Sequence, residues 1–267
     1  MPGCTCESGS LHSLEGRVAI VTGGGTGIGR ATALVLAGHG ADIVLAGRRP
    51  GPLESTAAEI AALGRRAIAV PTDVTIPEHC DRLAEQAVDA FGRLDVLVNN
   101  AGGGLLKPLM DWSPQDWRDI IALNLESAWY MSRAAARPMM ARGKGSIVNI
   151  SSGASLRAMP NAAPYGAAKA GLNNLTSALA AGLAPRGVRV NGLAVGAVNT
   201  GQITDTDGAA ESLSGQRRFT GNALGRVGRP EEIGYAVHFF ASDASSYCSG
   251  QTLWINGGPT GEGGPTE

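Results

Sequence analysis

The chain has 267 residues, and its 22 lysines and arginines against 23 aspartates and glutamates leave a formal net charge of -1. So even a balance offers no general attraction to nucleic acid or to an anionic membrane, and no run reaches the roughly 20 apolar residues that cross a bilayer. A composition of 43% hydrophobic and 17% charged residues with 39 glycines suits a buried parallel sheet with tight turns, and the opening MPGCTCESGSLHSLEGR lacks the apolar stretch of a signal peptide, so a cytoplasmic location is expected.

Residues 1–15 read as a flexible extension and 16–267 as a single domain. RVAIVTG has the pattern of a short buried strand running directly into glycines, and a helix is predicted from Gly27 to about Gly40. DIVLAG, AIAV and LDVLVNNAG repeat the strand pattern between helical stretches. After Ala101 come a loop rich in Gly, Leu and Pro, a long helical stretch containing Asn124, the strand GSIVNISS, another loop, and a helix bearing Tyr165 and Lys169. VRVNGLA is the next strand, residues 199–223 are polar and irregular, RPEEIGYAVHFFAS is amphipathic, and TLWING is the last strand. This alternation predicts an α/β fold, a Rossmann-like, doubly wound parallel sheet of about seven strands with helices on both faces, because parallel neighbours need right-handed crossovers. The irregular segment 199–223 is assigned to the substrate, as long loops in compact domains usually bind or cover something.

The cysteines are Cys4, Cys6, Cys80 and Cys248, and the histidines are His12, His39, His79 and His238. They form no ligand-like spacing, so free thiols and no metal are expected.

Thr22-Gly23-Gly24-Gly25-Thr26-Gly27-Ile28-Gly29 follows a strand and opens a helix. Unencumbered amides and the positive end of the helix dipole there suit a pyrophosphate, which predicts a dinucleotide cofactor. At the end of the second strand an acidic residue would bind a ribose hydroxyl and an arginine a 2′-phosphate. The chain has Gly47-Arg48-Arg49 there, with Asp42 at the other end of the strand, so NADP is favoured over NAD; the alternative is that Arg48 and Arg49 are solvated charges at a helix entry. Tyr165 and Lys169, four apart, share a face if the segment is helical, and a cation beside the phenol would lower its pKa from about 10.

The Gly-x-x-x-Gly-x-Gly spacing, Asn99-Asn100-Ala101-Gly102 and Tyr165-x-x-x-Lys169 together resemble the short-chain dehydrogenase/reductase family, nearest to its 3-oxoacyl-carrier-protein reductase-like members, over nearly the whole chain after residue 15. Asp73-Val74, the Asn124 helix, Ser152 ahead of Tyr165, Arg229-Pro230-Glu231-Glu232 and Gly257-Gly258 extend the likeness. The resemblance implies that Asn124, Ser152, Tyr165 and Lys169 are the catalytic set. Ser152 would hold the substrate oxygen, Tyr165 would exchange a proton with it, Lys169 would bind the nicotinamide ribose and tune the phenol, and Asn124 would anchor a proton relay. It implies cofactor contacts at Gly23, Gly25, Thr26, Gly27, Ile28, Gly29, Arg48, Arg49, Asp73, Val74, Asn100, Ala101, Gly102, Tyr165, Lys169, Val198 and Thr200. Asp73 is open to a second reading as the cap of a helix beginning near Pro77, and Val195-Gly196 stands where the family has Pro-Gly, which would leave that backbone less fixed.

The resulting expectation is an NADP-dependent enzyme interconverting a ketone and a secondary alcohol, its substrate a small molecule, free or on an acyl carrier that Arg142 and Arg186 would help dock. The alternatives are an NAD(P) dehydrogenase of steroid-like or cyclic alcohols and a non-catalytic dinucleotide-binding regulator. The resemblance also implies a homotetramer or homodimer, with no nucleic-acid or membrane partner.

Overall fold

A computed structural model describes residues 11–200, 209–211, 217–219 and 221–259. Seven strands form one sheet: β1 (Val18–Thr22), β2 (Asp42–Gly47), β3 (Ala67–Pro71), β4 (Val96–Asn99), β5 (Gly145–Ser152), β6 (Val188–Val195) and β9 (Thr252–Ile255), in the order β3-β2-β1-β4-β5-β6-β9. Every neighbouring pair is parallel. The order reverses between β1 and β4, which opens a crevice at the C-terminal strand ends where such folds bind ligands.

The connecting helices are α1 (Gly27–Gly38), α2 (Pro50–Ala62), α3 (Pro77–Phe91), α4 (Pro114–Ile121), α5 (Ser127–Arg142), α6 (Ala163–Leu183) and α7 (Pro230–Ala241). Because strand side chains alternate, each strand feeds two cores. Ala19, Val21, Ile43, Leu45, Val96, Val98 and Val148 meet Leu36, Leu53, Ile60, Ile233 and Phe240 of α1, α2 and α7. Ile20, Val44, Leu97, Ile147 and Val190 meet Leu83, Met131, Met139 and Ala180 of α3, α5 and α6. This double burial is why the strands read as continuous apolar runs rather than alternating ones.

The predicted strands and helices are therefore present, with three differences of detail. The segment from Leu11 onward is packed: Leu14 is fully buried, its N–H bonds to the His39 carbonyl at 2.8 Å, and His238 Nε2 donates to the His12 carbonyl at 2.6 Å. Within the stretch expected to be irregular, β7 (Ala209–Glu211) pairs antiparallel with β8 (Arg217–Phe219), and much of that proposed substrate loop lies outside the described residues. The third difference concerns the backbone at Val195-Gly196. It is fixed without proline: Gly196 N–H bonds to the Ile255 carbonyl at 2.9 Å, Gly228 N–H to Ala197 and Asn199 N–H to Gly228.

Of the cysteines, Cys80 is buried and its thiol is pushed up to about 12 by desolvation, while Cys248 is a half-buried free thiol. Cys4 and Cys6 lie outside the described residues. No helix among the described residues is long and apolar enough to cross a membrane.

Candidate active site

At the crevice, the turn after β1 leads into α1. Gly23 has φ of 67°, and a Cβ on Gly29 would stand 2.1 Å from the Gly23 carbonyl oxygen, so neither position admits a side chain. Thr26 occupies the cap of α1 without a side-chain hydrogen bond, and no acidic residue lies in the first turn. The positive end of α1 is thus left to an external anion, which fits the pyrophosphate of a dinucleotide. Thr200 closes over this turn, its Cγ2 within 3.2 Å of a Cβ placed on Gly27, while Val198 is buried and bridged to Gly228.

Sequence reasoning gave no role to Thr22, yet its hydroxyl ties β1 to β4. Its Oγ1 accepts the N–H groups of Asn100 at 3.0 Å and Ala101 at 2.9 Å and donates to the Val98 carbonyl. Asn100 Nδ2 donates back to the Thr22 carbonyl at 2.9 Å. Below it, Asn99 Nδ2 donates to Ser132 Oγ and to Asn149 Oδ1 at 2.8 Å, and Asn149 donates to Thr176, a buried polar chain linking β4, β5, α5 and α6.

At the end of β2, Arg48 and Arg49 are exposed, and the charge of Arg48 is felt by Asp73 at the end of β3. Asp42 is at the opposite end of β2, buried and bonded to Arg65 and Arg66. Asp73 does not cap α3, whose cap residue is Ile76. Its Oδ1 instead accepts from Thr75 N–H at 3.0 Å and Thr75 Oγ1 at 2.7 Å, and the Thr75 hydroxyl is the main reason its carboxyl lies below the ordinary range. Val74 is buried against α3.

On the other flank, the helical stretch around Asn124 is interrupted by a π-turn, Ala122–Glu126, a feature frequent at functional sites. The buried Asn124 amide is fully engaged: Nδ2 donates to Gly103 O at 2.8 Å and Ile120 O at 3.0 Å, and Oδ1 accepts from Gly103 N–H at 3.1 Å. A Cβ on Gly102 would lie 2.8 Å from Asn124 Oδ1 and 3.4 Å from Lys169 Nζ, and one on Gly104 would lie 3.3 Å from the Tyr165 ring. Glycines 102–104 thus let the chain pass between Asn124, Lys169 and Tyr165 without blocking them.

Lys169 is 4% exposed, donates to the Ile150 carbonyl at 2.9 Å, and has no carboxylate partner among the described residues, so burial pushes its pKa down to about 8. Desolvation raises the pKa of the half-buried Tyr165 phenol, and the Ser152 hydroxyl near it lowers it by less. This corrects the expectation that the lysine charge depresses the phenol, because Nζ is 5.6 Å from the ring centroid and directed at a carbonyl. Ser151, the competing hydroxyl, is buried and donates to the Lys169 carbonyl, whereas Ser152 Oγ is half-buried and turns toward Tyr165.

Arg142 and Arg186 do not flank this site. Both precede strand starts, at the ends of α5 and of the turn after α6, while Ser152 closes the eight-residue β5; at ~3.3 Å per residue they stand roughly 23 Å away.

Residues 23–260 match a family profile described as enoyl-(acyl carrier protein) reductase. Among similar proteins, a 3-oxoacyl-[acyl-carrier-protein] reductase of Synechocystis is 38% identical over 93% of this chain and 98% of its own. A cis-4-hydroxycyclohexanecarboxylate dehydrogenase of Sinomonas cyclohexanicum is 39% identical over 91% and 96%. The solved structure of 7α-hydroxysteroid dehydrogenase complexed with NADH and 7-oxo glycochenodeoxycholic acid superposes with a TM-score of 0.86 at 34% identity, over 94% of this chain and 97% of that one.

Proposed function

The chain belongs to the short-chain dehydrogenase/reductase family, an oxidoreductase of secondary alcohols and ketones, and from that premise we propose that it works with NADP and that Ser152, Tyr165, Lys169 and Asn124 carry the reaction. One observation bears most of the weight: the Ser152 hydroxyl stands near the Tyr165 phenol and a buried lysine, beside a glycine stretch that leaves room for a reacting group.

In this reading the turn Gly23–Gly29 with Asn100, Ala101 and Gly102 holds the adenosine and pyrophosphate side of the cofactor. Asp73 and the Val74 backbone border the adenine, and Val198 and Thr200 border the nicotinamide side. Arg48, with Arg49 beside it, meets the 2′-phosphate, since both are exposed and neither forms an ion pair among the described residues. When bound, NADP supplies or takes the hydride. Ser152 donates to the substrate oxygen, and Tyr165 delivers its proton to that oxygen as carbonyl becomes alcohol; oxidation reverses both steps. A phenol held above its usual pKa keeps its proton at neutral pH, which suits the reductive direction. Lys169, pushed down to about 8, is poised to restore that proton from near-neutral solution. Asn124 braces the 102–104 stretch from behind.

For the substrate, the carrier-protein reductase relative supports a 3-oxoacyl thioester, and the hydroxycyclohexanecarboxylate and hydroxysteroid relatives support a cyclic alcohol. Arg142 and Arg186 lie far from the C-terminal strand ends, so they give no support to the carrier reading at the reacting pair itself. An intact Ser152–Tyr165 pair disfavours a purely regulatory role. Titrating NADPH and NADH by fluorescence and then adding 3-oxoacyl thioesters and cyclic ketones tests all of these: binding without oxidation of NADPH by any ketone would contradict the catalytic reading. A homodimer or homotetramer and a cytoplasmic location complete the proposal.

A further inference from the structure

Between Ser152 and Tyr165 the chain runs Gly-Ala-Ser-Leu-Arg-Ala-Met-Pro-Asn-Ala-Ala-Pro, and Arg157 is the sole charged residue in it. The residue is exposed, and its side chain reaches back toward Gly153. A guanidinium nitrogen lies 3.5 Å from the point a Cβ on Gly153 would occupy, with the Val195 carbonyl oxygen 3.7 Å from the same point. Gly153 directly follows Ser152, and Ser152 pairs with Val195 across β5 and β6. A cation therefore stands at ordinary contact distance from the Cβ position of Gly153, next to Ser152 in the chain.

That cation is not neutralised. The guanidinium of Arg157 has no hydrogen bond or ion pair among the described residues. The other cations of this rim are engaged: Lys107 Nζ is 2.7 Å from Asp116, and Lys169 is bonded to Ile150 O. Leu156 and Met159 on the same loop, and Leu105 and Leu106 on the glycine-rich loop after β4, are each between 45% and 75% exposed. An apolar mouth with one unpaired planar guanidinium is complementary to a molecule with an apolar body and an oxyanion, because Arg presents two parallel donors to a carboxylate or phosphate.

We propose that Arg157 is the anion-binding residue of the substrate pocket, and that the substrate is a ketone or secondary alcohol carrying an oxyanion, a carboxylate or a phosphate ester. This rests on the reading of Ser152 and Tyr165 as the reacting pair. It separates the cyclic acids from neutral alcohols and from thioesters, whose reacting end carries no such charge.

The test compares paired substrates that differ only in charge: 4-oxocyclohexanecarboxylate against its methyl ester, and dihydroxyacetone phosphate against dihydroxyacetone, with NADPH, in the wild type, Arg157→Gln and Arg157→Lys. Loss of a charge-assisted pair is expected to lower kcat/KM for the preferred anion by about tenfold to a hundredfold in Arg157→Gln, chiefly through KM. The neutral partner should change by less than about twofold, and Arg157→Lys should recover part of the loss, since a point charge keeps the attraction without the fork. The pair showing the larger Arg157-dependent loss tells carboxylate from phosphate. Equal losses on charged and neutral substrates, or none on either, overturn the proposal. If the wild type turns over no member of either pair, the assignment of the reaction fails, and calorimetric binding of cyclohexanecarboxylate in the presence of NADPH then decides Arg157 by itself. Weaker binding to Arg157→Gln supports the anion site, and equal or absent binding to the two proteins overturns it.

Discussion

At the starts of the strands, Asp42 is gripped by Arg65 and Arg66, Asp95 by Arg93, and Asp243 by Arg17 and Lys144; at their ends, Lys169 is buried against a carbonyl with no carboxylate among the described residues, and Arg48 and Arg157 are unpaired. Three carboxylates at one end of the sheet are matched internally, whereas three cations at the other are not. A buried unmatched charge such as Lys169 weakens the fold where it stands, and that is the usual trade between stability and activity.

The comparison breaks most visibly in turnover. Tyr165→Phe keeps the shape of the site and removes the proton, so ketone reduction should fall by about a thousandfold or more while NADPH affinity measured by fluorescence titration stays within about twofold. Unchanged turnover would sink the role of Tyr165.

Stability should respond with opposite signs at the two ends. Lys169 falls from 10.5 to about 8, which corresponds to roughly 3 kcal/mol of penalty for its charge. Its folded pKa is lower than its unfolded one, so the unfolded chain holds more protons between pH 8 and 10.5, and the penalty is complete below pH 8 and relieved as pH rises through that window. Lys169→Met, which gives up the bond to Ile150 but also the charge, should raise the unfolding free energy by about 2 kcal/mol at pH 7 in protein without added nucleotide, with a shrinking gain toward pH 10.5. A loss of stability at pH 7 would contradict the unmatched charge.

At the other end, Asp42→Asn should cost about 2 kcal/mol in denaturant unfolding, since it weakens charged hydrogen bonds with Arg66 and Arg65. Burial alone would raise the Asp42 carboxyl, but the bonds and charges of Arg66 and Arg65 outweigh it and hold it below 3.8. The stabilisation is accordingly present above pH 3.8 and disappears as pH falls through the lower folded value, where wild type and variant should converge.

The smallest expected effect is in cofactor choice. Arg48→Ala should weaken NADPH by about tenfold, the value of one charge-assisted contact, and leave NADH nearly unchanged. Equal weakening of both would make Arg48 a bystander.

Much of the frame was legible in the residues. Strands buried on both faces announce themselves as apolar runs, and glycines such as Gly23 and Gly29 are required by backbone approach that nothing else permits. The grouping of Ser152, Tyr165 and Lys169 followed from spacing and family likeness. What escaped depended on direction and burial. The sequence offers Arg142 and Arg186 as a docking patch without a position relative to Ser152, and because each sits where a strand starts they fall at the far end of the sheet from it. The phenol pKa turned on desolvation and on where Nζ points, neither of which a four-residue spacing encodes. Asp73 was ambiguous until its turn with Thr75 appeared, and Thr22 acts through partners remote in sequence.

If the unmatched end of the sheet binds NADPH and passes its hydride to a ketone, binding and turnover can be read in one experiment. The wild-type chain is titrated with NADPH and NADH by fluorescence, and a cyclic keto acid is then added in the same cuvette. Tighter binding of NADPH and its oxidation once the keto acid is added are expected; no nucleotide binding, or bound NADPH that neither a keto acid nor any other ketone oxidises, would contradict the proposed reaction.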